Sequence, residues 1–231
     1  MDDIEDESID LVLADLPYGT TYAPWDSVID LQALWAAYGR ICKPHAPIVL
    51  TASQPFSSQL VMSNPKWFRC EWVWDKENAA NFANAKRQPL KQHEAVLVFS
   101  RKASAYHPQM VPGKKNHGQG TANNNIGSDL LNIKDRAPDI VSGLKYPKTI
   151  IRFPKHSSNC KNHPTEKPVE LLRYLIRTYS NPGDIVLDNT MGSGSTGVAA
   201  VEEGRIFKGI ELDEAYFQVA KHRIEDAISR A

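Results

Sequence analysis

The sequence predicts an α/β fold with a mostly parallel sheet, helices on both faces, and a small basic, irregular insert. Three observations predict it. Short apolar runs alternate with stretches of helical periodicity towards both ends of the chain. A turn of the form G-x-G-x-x-G, Gly192 to Gly197, lies between a predicted strand and a predicted helix. Residues 103–164 instead hold much Gly, Asn, Pro and Lys, with little periodicity. The 231 residues suffice for one large domain, or for one domain with a sizeable insertion. With 42% hydrophobic and 23% charged residues the composition is ordinary for a globular chain, so a buried core is expected.

Residues 9–14 are short, apolar and followed by a Pro/Gly turn, which reads as a buried strand. Leu31, Leu34, Trp35, Tyr38 and Ile41 recur at helical spacing and place a helix over about residues 27–43. Residues 47–51 form a second short strand. Over 67–75 the pattern has period two: Phe68, Cys70, Trp72 and Trp74 face one way, and Arg69, Glu71 and Asp75 the other. Residues 94–99 make a further strand. The segment from Gly113 to Asn125 reads as a mobile loop. Beyond it, Pro168 opens a helix with Val169, Leu172, Leu175 and Ile176 on its apolar face. Residues 184–188 form a strand, 196–203 a helix and 206–211 a strand. Asp213 caps a last helix bearing Tyr216, Phe217, Ala220 and Ile224.

Charge is unevenly distributed. The chain is formally neutral, yet residues 101–161 hold eleven Lys/Arg against three Asp, a net +8, leaving −8 elsewhere. A basic block on an acidic protein fits either a polyanion partner or a solvated lysine-rich loop. No apolar run approaches the roughly 18 residues of a membrane span. The acidic start at Met1 is unlike a secretory signal. Three widely spaced cysteines, Cys42, Cys70 and Cys160, suit a reducing compartment, and a cytoplasmic protein is expected. The seven histidines are scattered, and Cys160 with His163 lacks further ligands at zinc spacing, so no metal site is expected.

The glycine turn is more than a spacing match. Its context, strand before and helix after, is what a nucleotide-like ligand requires, and Glu211 stands 19 residues after Gly192, where an acid would bind ribose hydroxyls. Only about 20 residues follow Glu211, too few for the second half-site of a dinucleotide. S-adenosylmethionine needs one half-site and fits better.

Asp15-Leu16-Pro17-Tyr18 directly follows the first predicted strand, at the end of the sheet where open α/β folds place their chemistry. It resembles the Asp-Pro-Pro-Tyr motif of the N6-adenine and N4-cytosine DNA methyltransferases. Residues 181–197 resemble that family's cofactor loop. His163-Pro164-Thr165-Glu166-Lys167-Pro168 resembles the segment before it, and residues 209–217 the ribose-binding segment. The order is similar to the permuted β group, closest to phage and prophage members: catalytic turn first, basic region next, cofactor loop last. The resemblance covers nearly the whole chain. It implies a Rossmann-like S-adenosylmethionine-dependent methyltransferase fold. It also divides the chain into a catalytic half (1–102), a target-recognition insert (103–162) and a cofactor-binding half (163–231).

The residue types suit that chemistry. An exocyclic amine has its lone pair delocalised into the ring. A carboxylate and a carbonyl, each accepting one N–H, favour a pyramidal nitrogen able to attack a sulfonium methyl in line. By resemblance Asp15 supplies the carboxylate, Leu16 the carbonyl, Pro17 rigidity and Tyr18 a stacking face. Leu16 stands where the family has Pro, and because only its carbonyl is used the change should be tolerated. The resemblance further implies that Thr165 and Lys167 hold the methionine carboxylate, that Asp188 takes the cofactor's ammonium, and that Gly192, Gly194, Ser195 and Thr196 line the loop before Glu211. The target amine is unreachable within a duplex, so the base must flip out. The basic block falls where the family keeps target recognition, and Tyr106, Tyr146 and Phe153 either stack on bases there or form a small core.

The opening Asp favours adenine N6 as the target, while Ser is commoner in the N4-cytosine enzymes. No Pro-Cys pair is present, so the C5-cytosine chemistry is absent. A DNA-binding relic without turnover and an RNA methyltransferase are the competing readings. Double-stranded DNA is the expected partner, and the resemblance also admits a homodimer and a companion restriction nuclease. The family has a strand ending in Gly-Asp ahead of the first strand seen here, walling the cofactor's adenine. That piece is expected to be missing and cofactor affinity to be weakened.

Overall fold

A computed structural model describes residues 1–19, 26–113, 143–154 and 166–230. Its main unit comprises residues 1–107 and 149–231, and residues 108–148 form a second compact unit. Seven strands of the main unit form one sheet, in the order β7-β3-β4-β2-β1-β8-β9. They are β1 (Leu11–Ala14), β2 (Ile48–Ala52), β3 (Phe68–Ala80), β4 (Lys91–Phe99), β7 (Ile150–Arg152), β8 (Ile185–Asp188) and β9 (Ile206–Gly209). All run parallel except β4, which is antiparallel to both of its neighbours. The second unit pairs β5 (Val111–Pro112) with β6 (Leu144–Lys145).

The helices are α1 (Leu31–Ile41), α2 (Phe56–Ser63), α3 (Val169–Tyr179), α4 (Ser195–Glu202) and α5 (Glu214–Arg230). The central strands are apolar at successive positions because both faces are covered. On one face Val12, Ala14, Ile48, Leu50, Leu97 and Phe99 pack with Leu34, Trp35 and Tyr38 of α1 and Phe56 and Leu60 of α2. On the other, Leu11, Leu13, Val49, Val96 and Val98 pack with Leu171, Leu172, Leu175 and Ile176 of α3 and Ala199 and Ala200 of α4. The resulting three-layer α/β architecture is the fold class read from the sequence.

Local chemistry sets the helix ends. Asp30 caps α1, its carboxylate accepting from the backbone N–H groups of Gln32 (2.9 Å) and Ala33 (3.3 Å), so the helix starts later than its apolar pattern suggests. Asp213 caps α5 in the same way. The eight-residue helix α2 is absent from the periodicity reading: its buried Phe56 and Leu60 make too short a pattern to stand out.

Strand β3 departs from a uniform alternation. Trp72 and Trp74 are buried on the α3 face, but a register shift between Phe68 and Cys70 turns Phe68 to the opposite face, where its ring meets Phe99 at 5.7 Å. Cys70 is exposed. The second unit is also narrower than the 103–162 insert read from sequence. β7 pairs with β3, Phe153 lies against Tyr174 of α3 at 5.6 Å, and the His107 N–H bonds the Thr178 carbonyl, which keeps all three segments in the main unit. Phe153 is therefore partly buried against the main unit's core. The segment 114–125, read as a mobile loop, lies outside the described residues, as do Cys160, His163 and Thr165. No helix among the described residues is long and apolar enough to cross a membrane. Among them no group of three or more His, Cys, Asp and Glu is placed to hold a metal ion.

Candidate active site

β1 lies beside β8, and from these two neighbouring strands the chain crosses over in opposite directions: from β1 through α1 to β2 on one side, and from β8 through α4 to β9 on the other. This is a topological switch point, where a crevice opens beyond the carboxyl ends of the strands. Asp15 follows β1 there, and Asp188 ends β8. Thr190 ties the two together. Its hydroxyl donates to the Asp15 carbonyl (3.1 Å) and its N–H to the Asp188 carboxylate (3.0 Å).

The Asp15 side chain is partly exposed and heavily engaged. Its Oδ1 accepts from the Tyr18 hydroxyl (2.7 Å) and from the Thr51 hydroxyl, and its Oδ2 from the Lys167 ammonium (2.5 Å). Tyr18 lies over Phe56 in a stacked arrangement, centroids 5.4 Å apart, with its hydroxyl also 3.2 Å from Thr51 Oγ1. Burial, then the charges of Asp15 and Glu94, push the Tyr18 phenol well above its ordinary pKa. It therefore stays a neutral donor. Leu16 is buried among the apolar residues beneath the sheet end.

Behind Asp15 stands a buried chain of charges. Lys167 Nζ is 3.6 Å from Glu94 Oε2, and Lys76 Nζ is 3.1 Å from Glu94 Oε1. Burial works against the Lys167 charge, but Asp15 and Glu94 more than offset it and its pKa lies above the ordinary lysine value. Two cations and two carboxylates alternate, so each buried charge has an opposite neighbour. In this structure the Lys167 ammonium is paired with the Asp15 carboxylate.

The glycine turn lies across the crevice. Gly192 has φ +51° and open space where a Cβ would stand. Gly194 (φ +80°) and Gly197 serve packing instead. A Cβ would come within 2.8 Å of Ala220 Cβ at the first and 2.4 Å of Ile224 Cδ1 at the second, so both let α5 approach. Glu211 holds the turn: Oε2 accepts from the Gly192 N–H (2.8 Å), and Oε1 from the N–H groups of Leu212 and Asp213 (2.9 Å each). Asp188 is almost fully buried. Desolvation raises its pKa to about 7, with the Asp15 and Glu211 charges adding, against hydrogen bonds from the Thr196 hydroxyl and the Thr190 N–H. β9 is an outer strand of the sheet. Beside it a hollow of about 190 Å³, lined by Met191, Phe207, Gly209 and Phe217 among others, borders the glycine turn rather than Asp15.

A family model described as DNA methylase matches residues 9–222. The chain belongs to the N6/N4 DNA methylase family. It is 28% identical over 240 residues to the DNA adenine methyltransferase YhdJ of Escherichia coli K12, covering 96% of this chain and 78% of that one. The M1.HpyAVI–SAM complex shares its fold with a TM-score of 0.62 at 24% identity, over 94% of this chain and 89% of that one. The cytosine-N4-specific PvuII DNA methyltransferase does so with a TM-score of 0.65 at 15% identity, over 99% and 87%.

In this methylase, the residues singled out from sequence fall into two groups. Asp15, Leu16, Pro17, Tyr18 and Lys167 meet at one side of the crevice, and Asp188, Gly192 and Glu211 at the other. Ser195 and Thr196 do not line an open loop: both are buried, with Ser195 Oγ donating to Glu166 (3.0 Å) and Thr196 bonded to Asp188. Glu166 also pairs with Arg223 of α5, whose guanidinium donates to the Ser193 carbonyl (2.6 Å). Thr51, Lys76, Glu94, Glu166, Thr190 and Arg223 escaped the sequence reading. Two of them carried a signal. Thr51 ends a predicted strand at the same sheet edge as Asp15, and Lys76 continues the buried period-two series Trp72, Trp74.

Proposed function

We propose that this chain transfers a methyl group from S-adenosyl-L-methionine to N6 of an adenine flipped out of duplex DNA. The observation that carries the reading is the Asp15 carboxylate at the switch point, oriented by Tyr18, Thr51 and Lys167 and joined through Thr190 to a second acid, Asp188. Identity to a protein named a DNA adenine methyltransferase and the Asp that opens the motif favour adenine over cytosine.

The residues across the crevice fit the methyl donor. Gly192 leaves its Cβ position open to a ligand, Glu211 brings a carboxylate beside it, and the buried Asp188 suits an ammonium, which would restore its ionised form. When bound, the donor supplies an electrophilic methyl group on a sulfonium. Asp15 accepts one amine N–H and the Leu16 carbonyl the other, drawing the nitrogen lone pair out of the ring. Asp15 orients the amine, and the proton leaves after the methyl has transferred. Tyr18 offers its ring to the base while its hydroxyl steadies Asp15. Lys167 balances the Asp15 charge, so that this carboxylate and Asp188 can share one crevice.

The test is methylation of duplex DNA by the purified chain, followed by digestion to nucleosides and mass spectrometry. N6-methyladenine is the expected product, abolished in Asp15→Ala. N4-methylcytosine alone would overturn the adenine assignment. DNA binding equal in wild type and Asp15→Ala, with no product from either, would make the chain a binding relic. Sequencing of DNA from expressing cells, with methylation detection, gives the recognition sequence.

A further inference from the structure

The β3–β4 hairpin has a tip that neither packs against the core nor belongs to the basic block at 101–161. Residues 78–93 contain Lys86, Arg87, Lys91 and no Asp or Glu, in a chain that carries −8 outside residues 101–161. From residue 85 to residue 93 every position is exposed, and Phe82 stands 68% exposed. Lys86, Arg87 and Lys91 form no ion pair with a described residue. An exposed aromatic ring among cations and amides is the composition of a nucleic-acid contact.

The tip is also built. The β3–β4 register jumps between Asp75 and Ala80, with Ala80 opposite Lys91, and Glu77 and Asn81 take positive φ of 60° and 69°. A 3-10 turn, Phe82–Asn84, follows. The Asn84 side chain donates to the Asn81 side chain (2.9 Å), and the Asn84 carbonyl accepts from the N–H groups of Arg87 (2.8 Å) and Gln88 (3.1 Å). Strain and local bonds thus hold a shape that buries nothing within the main unit. The base of the hairpin is the Lys76–Glu94 pair, and Glu94 faces Lys167, which bonds Asp15. Lys91 lies three residues beyond Glu94, so the tip rises about 10 Å above the active-site edge at the ordinary strand rise. A duplex that delivers a flipped base to Asp15 must lie over that edge.

We propose that the hairpin tip is a DNA-contacting element separate from the target-recognition insert: Phe82 occupies the base stack where the target nucleotide has left it, and Lys86, Arg87 and Lys91 bind the flanking phosphates. The proposal rests on the DNA methyltransferase reading above. Extrusion leaves a gap whose neighbours lose their stacking partner, and an aromatic face replaces that partner without regard to sequence. The three cations release counterions and fix the tip over the backbone.

The test uses a duplex carrying the methylation site mapped as above, with 2-aminopurine at the target position, whose fluorescence rises on unstacking. Phe82→Ala is expected to bind about tenfold more weakly, the loss of one base–aromatic stack, and to give a smaller fluorescence rise at saturation. Its deficit should shrink on a duplex whose target is already mismatched, because opening then costs less. Phe82→Trp, which keeps an aromatic face, should restore both signals. The triple variant Lys86→Ala, Arg87→Ala, Lys91→Ala should flatten the slope of log affinity against log salt by about 2.7, and a change below about 0.9 excludes even one phosphate contact. Donor affinity by calorimetry and thermal midpoints should match wild type for every variant, since the tip is exposed. A wild-type flipping signal in Phe82→Ala, or an equal deficit on matched and mismatched duplexes, overturns the stacking role. A wild-type protein that neither binds nor methylates DNA overturns the underlying reading instead.

Discussion

Replacing Asp188 by Asn should stabilise the ligand-free protein while weakening its binding of the methyl donor. Asp188 is buried, and its pKa lies near 7 against an ordinary 3.8 for aspartate. The folded protein therefore holds this proton more tightly than the unfolded chain does, so stability is fully retained below about pH 3.8 and falls as pH rises towards 7. At about 1.4 kcal/mol per unit, a difference of roughly three units costs on the order of 4 kcal/mol at pH 8. Asn keeps the shape and still accepts from the Thr190 N–H, but never ionises. The stability gap between Asp188→Asn and wild type should thus open from near zero at pH 4, widen up to pH 7 and stay level above it. For a chain of this size, about 2–4 kcal/mol corresponds to a rise in Tm of roughly 5–15 °C at pH 8. Thermal unfolding followed by near-ultraviolet circular dichroism at pH 4 to 8 measures it. Donor binding should move oppositely: wild-type affinity rises with pH up to about 7, and the Asn variant binds weakly throughout. Equal Tm values at pH 8, or a gap independent of pH, would refute the claim that burial holds this carboxylate near neutral.

Four further perturbations probe the site. Asp15→Asn keeps the side-chain shape but presents an amide where two acceptors are needed, and should lower kcat by about 10²–10³-fold with donor affinity retained. Thr51→Val removes one Asp15 partner and should lower kcat with a smaller effect on KM, read in steady-state methylation assays. Leu16→Ala should cost about 2–4 kcal/mol of stability in denaturant unfolding, because that side chain is buried, yet leave the rate per folded molecule within a few-fold, because only its carbonyl serves the reaction. Gly194→Ala places a methyl 2.8 Å from Ala220 Cβ at φ +80°, so it should lower Tm by several degrees and weaken donor binding, measured by calorimetry on the same sample.

The Lys76–Glu94–Lys167–Asp15 series sets the electrostatics of the crevice. Asp15, Asp188 and Glu211 converge there, and the charges of Asp15 and Glu211 add to the burial that raises the Asp188 pKa. Lys167 lies within 5.8 Å of the Tyr18 ring centroid as well as on Asp15, so one ammonium serves both the carboxylate and the aromatic beside it. Glu94 in turn stands between two lysines. A neutral residue at Glu94 would leave Lys76 and Lys167 repelling each other in a poorly solvated space.

By itself the sequence determined the layers and the two ends of the site. Apolar runs of four to five residues bounded by Pro and Gly become the central strands, and 3.6-residue periodicity becomes α1, α3 and α5, because burial on one or both faces dictates those patterns directly. The positions of Asp15 after β1 and of Gly192 and Glu211 around β8 and β9 follow from the same local signals. Tertiary structure decided who stands beside them. Thr51 reaches Asp15, and Glu94 and Lys76 stand behind Lys167, only because β2, β4 and β3 are neighbours in the sheet, and strand order and register are set by packing across the sheet rather than by neighbours in the chain. The bulge that turns Phe68 away from Trp72, the inward set of Ser195 and Thr196, and the burial that holds Asp188 near neutrality have the same origin. Each depends on which atoms surround a residue in space, and residues far apart in the chain supply them.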